Sequence, residues 1–416
     1  MQTKKTHWAS IFILFVFGIS ILFLFLIVTL LGIGSLVDLF KESGDPVVEM
    51  IGAAAFGFEI VLLLICGWFV LQKAMNRDIA DRPFIPPFAD WQLIPVIGLA
   101  FIGVTIGGLA AYSEIKWLGW LIMPLATILV IVPPIWLLFG YGSRGLEAGP
   151  RWRVFAVLGL GMTVGPVIMV VLEMVILIVV IIAGTVLLAI LEPTTFQDLI
   201  QLSQIIQTET NEDVLLNLLA PYISNPYAIA IGIGYIALIV PLIEELLKPL
   251  AVWLFASKIE SPSQGFVLGL LSGAAFALIE SLNASADGTT SWPIIVSVRA
   301  GTSILHITAS GLMGWGIVSA IKEKRYGRFF AAYFSAVMIH GIWNASAVGT
   351  GLSALGESIG RPEWLLNFAP ALVCGLLVMG VGMFAVLLAS NRKLRNVSKP
   401  QITEENIKEE EVQLSA

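Results

Sequence analysis

The amino-acid sequence is dominated by long apolar stretches that short polar segments separate. Most of these stretches exceed the roughly 18–20 residues that a helix needs to cross the hydrocarbon core of a membrane. The pattern therefore predicts an all-α fold, a polytopic transmembrane helix bundle of about ten spans. The expected spans are residues 8–37, 49–72, 91–112, 117–140, 154–191, 226–257, 263–285, 294–321, 328–349 and 364–390.

The fifth stretch, residues 154–191, is too long for one straight crossing. Its 38 residues would extend about 57 Å as a helix, against a hydrocarbon core of about 30 Å. Gly165 and Pro166 offer a break. The stretch is therefore either two crossings or one crossing with a re-entrant or interfacial piece.

The distribution of basic residues favours one crossing there, because lysine and arginine concentrate in cytoplasmic loops. With both chain ends in the cytoplasm and ten crossings, cytoplasmic segments carry 18 of the 23 basic residues. Two crossings in the fifth stretch would place the basic cluster at 322–328 outside. We therefore expect the N-terminus and the C-terminus both to be cytoplasmic.

The same pattern divides the chain into five regions. Residues 1–192 are expected to form an N-terminal five-span membrane region, and the acidic segment 193–224 an extracytoplasmic amphipathic loop. Residues 225–350 are expected to form a catalytic-like four-helix membrane core, and 351–390 the last span. The highly charged segment 391–416 is expected to be a flexible cytoplasmic tail.

Composition supports a membrane protein and excludes other classes of function. Hydrophobic residues make up 57% of the chain and charged residues 12%, whereas a soluble domain carries about 25% charged residues. A net charge of −6 and the lack of a basic stripe argue against a nucleic-acid partner. The two cysteines, Cys66 and Cys374, lie in apolar stretches and predict neither a disulfide framework nor a CxxC metal site.

Ionisable side chains within spans concentrate in the sixth to ninth helices. A charge at the centre of a span costs about 2.5–3.5 kcal/mol even on insertion scales, so such groups usually face the bundle and have a function. The residues of interest are Glu244, Glu245 and Lys248 on the sixth helix, Phe276 and Glu280 on the seventh, Arg299 and His306 on the eighth, and His340 and Asn344 on the ninth.

Helical spacing places several of these side chains on common faces. Glu244 and Lys248 are four residues apart and are expected to pair. Glu245 points about 100° away, towards a different partner. His340 and Asn344 lie one turn apart. We therefore expect the carboxylates and imidazoles of the four helices to converge in one pocket.

This set of groups is suited to metal-assisted hydrolysis. Two neutral imidazoles with one or two carboxylates can hold zinc and leave a position for water, so Glu280, His306 and His340 are the expected metal ligands. A metal makes water more acidic, and Glu244 or Glu245 is expected to accept its proton.

Four further residues are expected to support this chemistry. Asn344 would donate to the oxyanion of a tetrahedral intermediate. Lys248 would keep Glu244 ionised, and Arg299 would do the same for Glu280. Phe276, one turn before Glu280, would support the site by packing.

Two other interpretations fit the same residues. A lone histidine in a membrane helix is more often a hydrogen-bonding residue than a ligand, so a catalytically inert scaffold is one alternative. A proton- or cation-coupled transporter that uses the Glu, His and Arg groups is the other. A transporter would show broken helices in two related halves, and no second half matches the proline-flanked segment 241–249.

The motifs in this order resemble those of a known family. Glu244-Glu245-x-x-Lys248, Phe276-x-x-x-Glu280, the helix with Arg299 and His306, and His340-Gly-Ile-Trp-Asn344 are similar to the motif series of the PrsW family. Its members are bacterial and archaeal intramembrane proteases, distantly similar to the type II CAAX prenyl endopeptidases. The resemblance covers about residues 225–350.

The resemblance implies an intramembrane endopeptidase of a bacterial or archaeal plasma membrane, with a membrane-associated protein or peptide as substrate. Glu244 or Glu245 would activate the water, and the implied cofactor is a metal, expected to be zinc. PrsW-like proteases are associated with cleaving membrane-bound anti-sigma factors, which implies regulatory proteolysis.

The resemblance also assigns positions to the other motifs. Glu280 stands where the CAAX endopeptidases have a histidine, and His340 with Asn344 matches their last motif. His306 matches the additional motif on the eighth helix. The segment Ser281-Leu-Asn283 and the first five helices depart from the family pattern, which affects the choice of substrate.

Overall fold

The computed structural model describes residues 7–209, 211–223, 225–354 and 363–398. Within these ranges the chain is built from helices and forms no strand. The predicted all-α polytopic bundle is therefore confirmed.

Fifteen α-helices follow one another along the described chain. Their bounds are α1 Trp8–Lys41, α2 Pro46–Ala74, α3 Leu93–Tyr112, α4 Lys116–Ser143, α5 Arg151–Met162, α6 Val164–Leu191, α7 Pro193–Ile206, α8 Glu212–Ile223, α9 Pro226–Gly234, α10 Val240–Leu247, α11 Leu250–Phe255, α12 Pro262–Ala284, α13 Trp292–Glu323, α14 Tyr326–Ala354 and α15 Glu363–Ser398. A short π-helix, Tyr235–Ile239, joins α9 to α10.

Nine segments of the described chain are long and apolar enough to cross a membrane, and they correspond to nine of the expected spans. The tenth expected span is α14, a helix of 29 residues. It carries His340 and Asn344, two of the polar residues that lower its apolar character.

The long fifth stretch breaks at Thr163, between α5 and α6, next to the expected break at Gly165 and Pro166. The two helices have different surroundings. Most of α5 is buried in the bundle, whereas α6 buries only Gly165 and Met169. The exposed face of α6 is apolar, as a lipid-facing helix requires.

The described part of the acidic segment 193–224 forms two helices, α7 and α8, with non-helical residues between them. Its extracytoplasmic position stays a prediction. The last helix is longer than expected, since α15 continues to Ser398 instead of ending at 390. Asn391 is buried there and donates hydrogen bonds to the carbonyl oxygens of Gly142 and Arg144, both at 2.9 Å. The remainder of the expected tail, 399–416, lies outside the described residues.

Glycines bring the backbones of α12 and α13 into direct contact. A methyl group on Gly269 would collide with the carbonyl oxygen of Ser310, and one on Gly273 with that of His306. Small residues at such crossings are the usual means of close helix packing in membranes. The contact at Gly273 fixes the backbone of α13 at His306, the residue that enters the candidate site.

Candidate active site

The helix with the first motif, α10, is interrupted on both sides. The π-helix precedes it, and such segments frequently occur at functional sites. Pro249 follows it and cannot donate the next helical hydrogen bond, so α11 begins separately at Leu250. The segment that carries Glu244, Glu245 and Lys248 is therefore a short helix within a longer crossing.

Two tertiary hydrogen bonds hold the backbone of this short helix. The Tyr333 hydroxyl of α14 donates to the carbonyl oxygen of Leu242 at 2.8 Å. The Ser272 hydroxyl of α12 donates to the carbonyl oxygen of Lys248 at 2.5 Å. These bonds fix α10 against the two neighbouring helices and direct its polar face into the bundle.

Four ionisable side chains from three helices converge at this face. Glu244 and Glu245 of α10 meet His306 of α13 and His340 of α14, and one ligand atom of each lies within 4.8 Å of the others. All four residues are buried; Glu245 is fully inaccessible, whereas Glu244 keeps 8% of its surface exposed. We refer to these four residues as the ligand cage.

The two imidazoles are oriented by contacts within the cage. His340 Nδ1 lies 2.8 Å from Glu245 Oε1, and His340 Nε2 lies 3.8 Å from Glu244 Oε2. The rings of His306 and His340 pack edge to face, with their centroids 5.4 Å apart. Each cage residue therefore contacts another cage residue directly.

Lys248 contacts both glutamates of the cage. Its Nζ atom lies 2.8 Å from Glu244 Oε2 and 2.7 Å from Glu245 Oε1. The expected Glu244–Lys248 pair is present. Glu245 differs from expectation because it shares Lys248 and contacts His340 as well; residues three apart on a helix are neighbours just as residues four apart are.

Glu280 lies beside the ligand cage, against the outer nitrogen of His306. Its Oε2 atom is 2.8 Å from His306 Nε2 and 2.8 Å from Arg299 Nη2. The expected pairing of Arg299 with Glu280 is therefore present. Glu280 is not among the four residues whose ligand atoms lie within 4.8 Å of one another. Its carboxylate lies on the Nε2 side of the His306 ring, whereas Lys248 lies on the Nδ1 side. Its role as a metal ligand stays a prediction. A carboxylate in this position fixes the orientation of a histidine ligand.

Of the two other expected site residues, Phe276 contacts the ligand cage and Asn344 contacts the π-helix that precedes α10. Asn344 Nδ2 donates to the carbonyl oxygen of Ile236 in the π-helix at 3.1 Å, which uses one of its two amide hydrogens. The ring of Phe276 lies 5.1 Å from the ring of His306 and 4.5 Å from Lys248 Nζ. Phe276 therefore forms one wall of the site.

Sequence reasoning missed Ser272 and Tyr333, which hold α10 in place. Spacing offered a signal for both. Ser272 lies one turn before Phe276, and Tyr333 lies seven residues, or two turns, before His340, so each shares a face with a residue that the sequence analysis singled out.

One buried carboxyl outside the site has a partner of its own. Glu59 of α2 accepts a hydrogen bond from Asn283 Nδ2 at 3.0 Å. Asn283 belongs to the segment that departs from the family pattern, and here it satisfies a carboxyl of the N-terminal helices. Glu59 is therefore a buried glutamate without a contact to the ligand cage.

The donor set of the ligand cage fits a divalent metal. Imidazole nitrogens and carboxylate oxygens are the ligands of catalytic zinc sites. Glu245 Oε2 is buried and has no hydrogen-bond partner within the described part of the chain. Such an oxygen is costly to bury unless a donor or a cation satisfies it.

Comparison with protein families, like the geometry of the ligand cage, indicates a metal-dependent protein. Residues 149–374 match the model of the PrsW family intramembrane metalloproteases, which is more than half of the 416 residues. The chain belongs to the PrsW family. It is therefore an intramembrane protease, and the transport alternative is not favoured. Searches among curated proteins and among solved structures found no match.

The matched region of this PrsW-family protease contains every residue of the ligand cage. It begins just before α5 and includes α10, α12, α13 and α14. Helices α1 to α4 precede it, in agreement with the expected departure of the first four spans from the family pattern. The fifth expected span, which forms α5 and α6, lies inside the match and differs from that expectation.

Proposed function

We propose that this protease hydrolyses a peptide bond of a membrane-associated protein or peptide at the ligand cage. The observation that carries the proposal is the burial of two carboxylates and two imidazoles within 4.8 Å of one another. Ionisable groups at this depth are costly, and a hydrolytic centre gives each of them a role.

His306, His340 and Glu245 are the residues proposed to hold the metal. Glu245 is fully buried, and its Oε2 atom has no hydrogen-bond partner in the described chain. Zinc is the expected ion, since this ligand set is common in catalytic zinc sites. When bound, the metal supplies Lewis acidity, which polarises a peptide carbonyl and makes water more acidic.

Glu244 is the proposed general base. It keeps 8% of its surface exposed, so it is the cage carboxylate that water and substrate reach more easily. Its carboxylate accepts a proton from the attacking water and then passes that proton to the leaving amine. Lys248 Nζ lies 2.8 Å from Glu244 Oε2.

Three further residues complete the proposed mechanism. Glu280, held by Arg299, fixes the ring orientation of His306 through its Nε2 atom. Asn344 retains one amide hydrogen that can be donated to the oxyanion of the tetrahedral intermediate.

The family relationship supports a regulatory substrate. We propose that the protease acts in the plasma membrane of a bacterium or archaeon, where it cleaves a membrane protein of the anti-sigma type. The nine apolar crossing segments and the buried cage are consistent with cleavage in or near the bilayer.

Cleavage of a single-span substrate in proteoliposomes tests this proposal. The wild-type protein is expected to cut the substrate, whereas Glu244→Gln and His340→Ala are expected to leave it intact. A chelator should stop the wild-type reaction, and added zinc should restore it.

His7→Ala is the matched control, because His7 lies at the start of α1 and contacts Ser10 and Trp152 instead of the ligand cage. Cleavage by Glu244→Gln and His340→Ala at the wild-type rate, with both variants folded, would contradict the proposal.

A further inference from the structure

The charged end of Lys248 lies at the centre of the ligand cage. Its Nζ atom is 2.8 Å from Glu244 Oε2, 2.7 Å from Glu245 Oε1, 2.9 Å from His306 Nδ1 and 3.4 Å from His340 Nδ1. The side chain is fully buried. An ammonium in contact with all four residues takes the place that a cation bound by the cage would take.

The metal and the ammonium cannot use this place together. Tetrahedral zinc holds nitrogen and oxygen ligands at 2.0–2.1 Å, which sets neighbouring ligand atoms about 3.4 Å apart. The cage atoms lie within 4.8 Å of one another, so a small contraction would enclose the ion at the point that Nζ occupies. Two cations at one point also repel strongly in a buried site.

We infer that Lys248 is an internal cation that competes with the metal for the ligand cage. Without metal, its ammonium compensates the two buried carboxylates and keeps the cage assembled. Metal binding at Glu245, His306 and His340 displaces the ammonium from these three residues. The inference rests on the proposed metal site and adds a specific residue that sets the metal affinity.

Lys248 combines an anchored backbone with a flexible side chain, which suits such an exchange. Ser272 holds the carbonyl oxygen of Lys248, so the backbone is anchored. The side chain is a flexible four-carbon stem. Its ammonium also lies 4.5 Å from the centroid of the Phe276 ring, and this cation–π contact uses no atom of the ligand cage.

Zinc titration of the full-length protein in detergent tests the competition. The apparent dissociation constant of zinc equals the intrinsic constant divided by the fraction of sites that the ammonium leaves free. Removal of the ammonium in Lys248→Met should therefore tighten the binding of zinc chloride at least about tenfold. Lys73→Met is the matched control. Lys73 pairs with Asp81 at 2.7 Å outside the cage, so this variant should bind zinc as the wild type does.

The outcomes separate this inference from the proposed function. Zinc binding by the wild type, with equal or weaker binding by folded Lys248→Met, would overturn the competition alone. Failure of both proteins to bind zinc would overturn the metal site and the competition together. Binding by Lys248→Met but not by the wild type would support strong competition.

A second measurement covers the case in which Lys248→Met does not fold. A crystal structure of the zinc-loaded wild-type protein is expected to show the ammonium out of contact with Glu245, His306 and His340. Zinc bound in the cage with Lys248 Nζ still at its present position would overturn the inference.

Discussion

Two pairs of membrane helices in this protein show how differently apolar spans can be used. In the most apolar 18-residue stretch of α12, 89% of residues are buried, and in α13 the share is 83%. The corresponding share is 11% in α1 and zero in α6. All four helices qualify as spans by length and composition, so apolarity alone does not tell a helix at the site from a helix that faces lipid.

The difference lies in the small and polar residues. The buried helices carry Gly269 and Gly273 on α12, and His306 and Ser310 on α13, where the two backbones touch. The exposed helix α6 presents mainly valine, isoleucine and leucine, which need no partner in lipid. Glycines that meet a neighbouring backbone therefore distinguish the site helices from α6, whose Gly184 has no atom within 4 Å of its would-be Cβ in the described structure.

The largest expected effect is a loss of cleavage when a carboxyl of the ligand cage is changed, compared with a buried carboxyl outside it. Glu244→Gln removes the proposed base and is expected to lower the cleavage rate about 10²–10⁴-fold. Glu59→Gln changes a buried carboxyl of α2 that accepts its hydrogen bond from Asn283, so it should cleave at nearly the wild-type rate. Initial rates in proteoliposomes measure both variants. Equal losses of cleavage rate in Glu244→Gln and Glu59→Gln would contradict a special role for the ligand cage.

The next effect tests the contact between the two buried helices. Gly273→Val would push a side chain into the backbone of α13 at His306 and should lower the free energy of unfolding by about 3 kcal/mol. Gly184 of α6 has no atom within 4 Å of its would-be Cβ in the described structure, so Gly184→Val should be nearly neutral. Denaturant unfolding in detergent compares them. Equal stability would contradict close packing at Gly273.

A smaller effect is expected at the residue that orients His306. Glu280→Gln should weaken zinc binding or cleavage about 10–100-fold, as is typical when the partner of a histidine ligand is removed. Zinc titration and initial rates measure it. Loss of all zinc binding in this variant would instead assign Glu280 as a direct ligand, as the sequence alone had suggested.

The smallest expected effect is a loss of stability at the end of α15, a helix that is otherwise largely exposed. Asn391→Ala removes two hydrogen bonds to the carbonyl oxygens of Gly142 and Arg144 and should cost about 1 kcal/mol of unfolding free energy. Val381→Ala on the exposed face of the same helix should cost less. A larger loss of unfolding free energy in Val381→Ala than in Asn391→Ala would contradict the docking of this helix end.

Much of the fold was predictable, because spans must be long and apolar whatever their neighbours are. The break before Gly165 and Pro166 was also predictable, since both residues disfavour a continuous helix. The end of α15 was not. Its last turns are charged and resemble a tail in sequence, and the bonds of Asn391 to α4 depend on tertiary packing.

The members of the site were predictable to a similar degree. The cost of ionisable groups in a membrane pointed to Glu244, Glu245, His306 and His340. Their detailed contacts depend on how α10, α12, α13 and α14 are rotated about their axes, and a single helix pattern does not contain that rotation. For this reason the central position of Lys248 and the lateral position of Glu280 emerged only in the structure.

The most direct test of the central claim is the metal content of purified protein in parallel histidine variants. The wild type and His7→Ala are expected to hold one zinc ion per chain after equilibration with zinc. His306→Ala and His340→Ala are expected to hold none, because each loses a ligand from a different helix. Equal zinc content in all four proteins, or a wild type that cleaves its substrate without bound metal, would contradict a metal-dependent ligand cage.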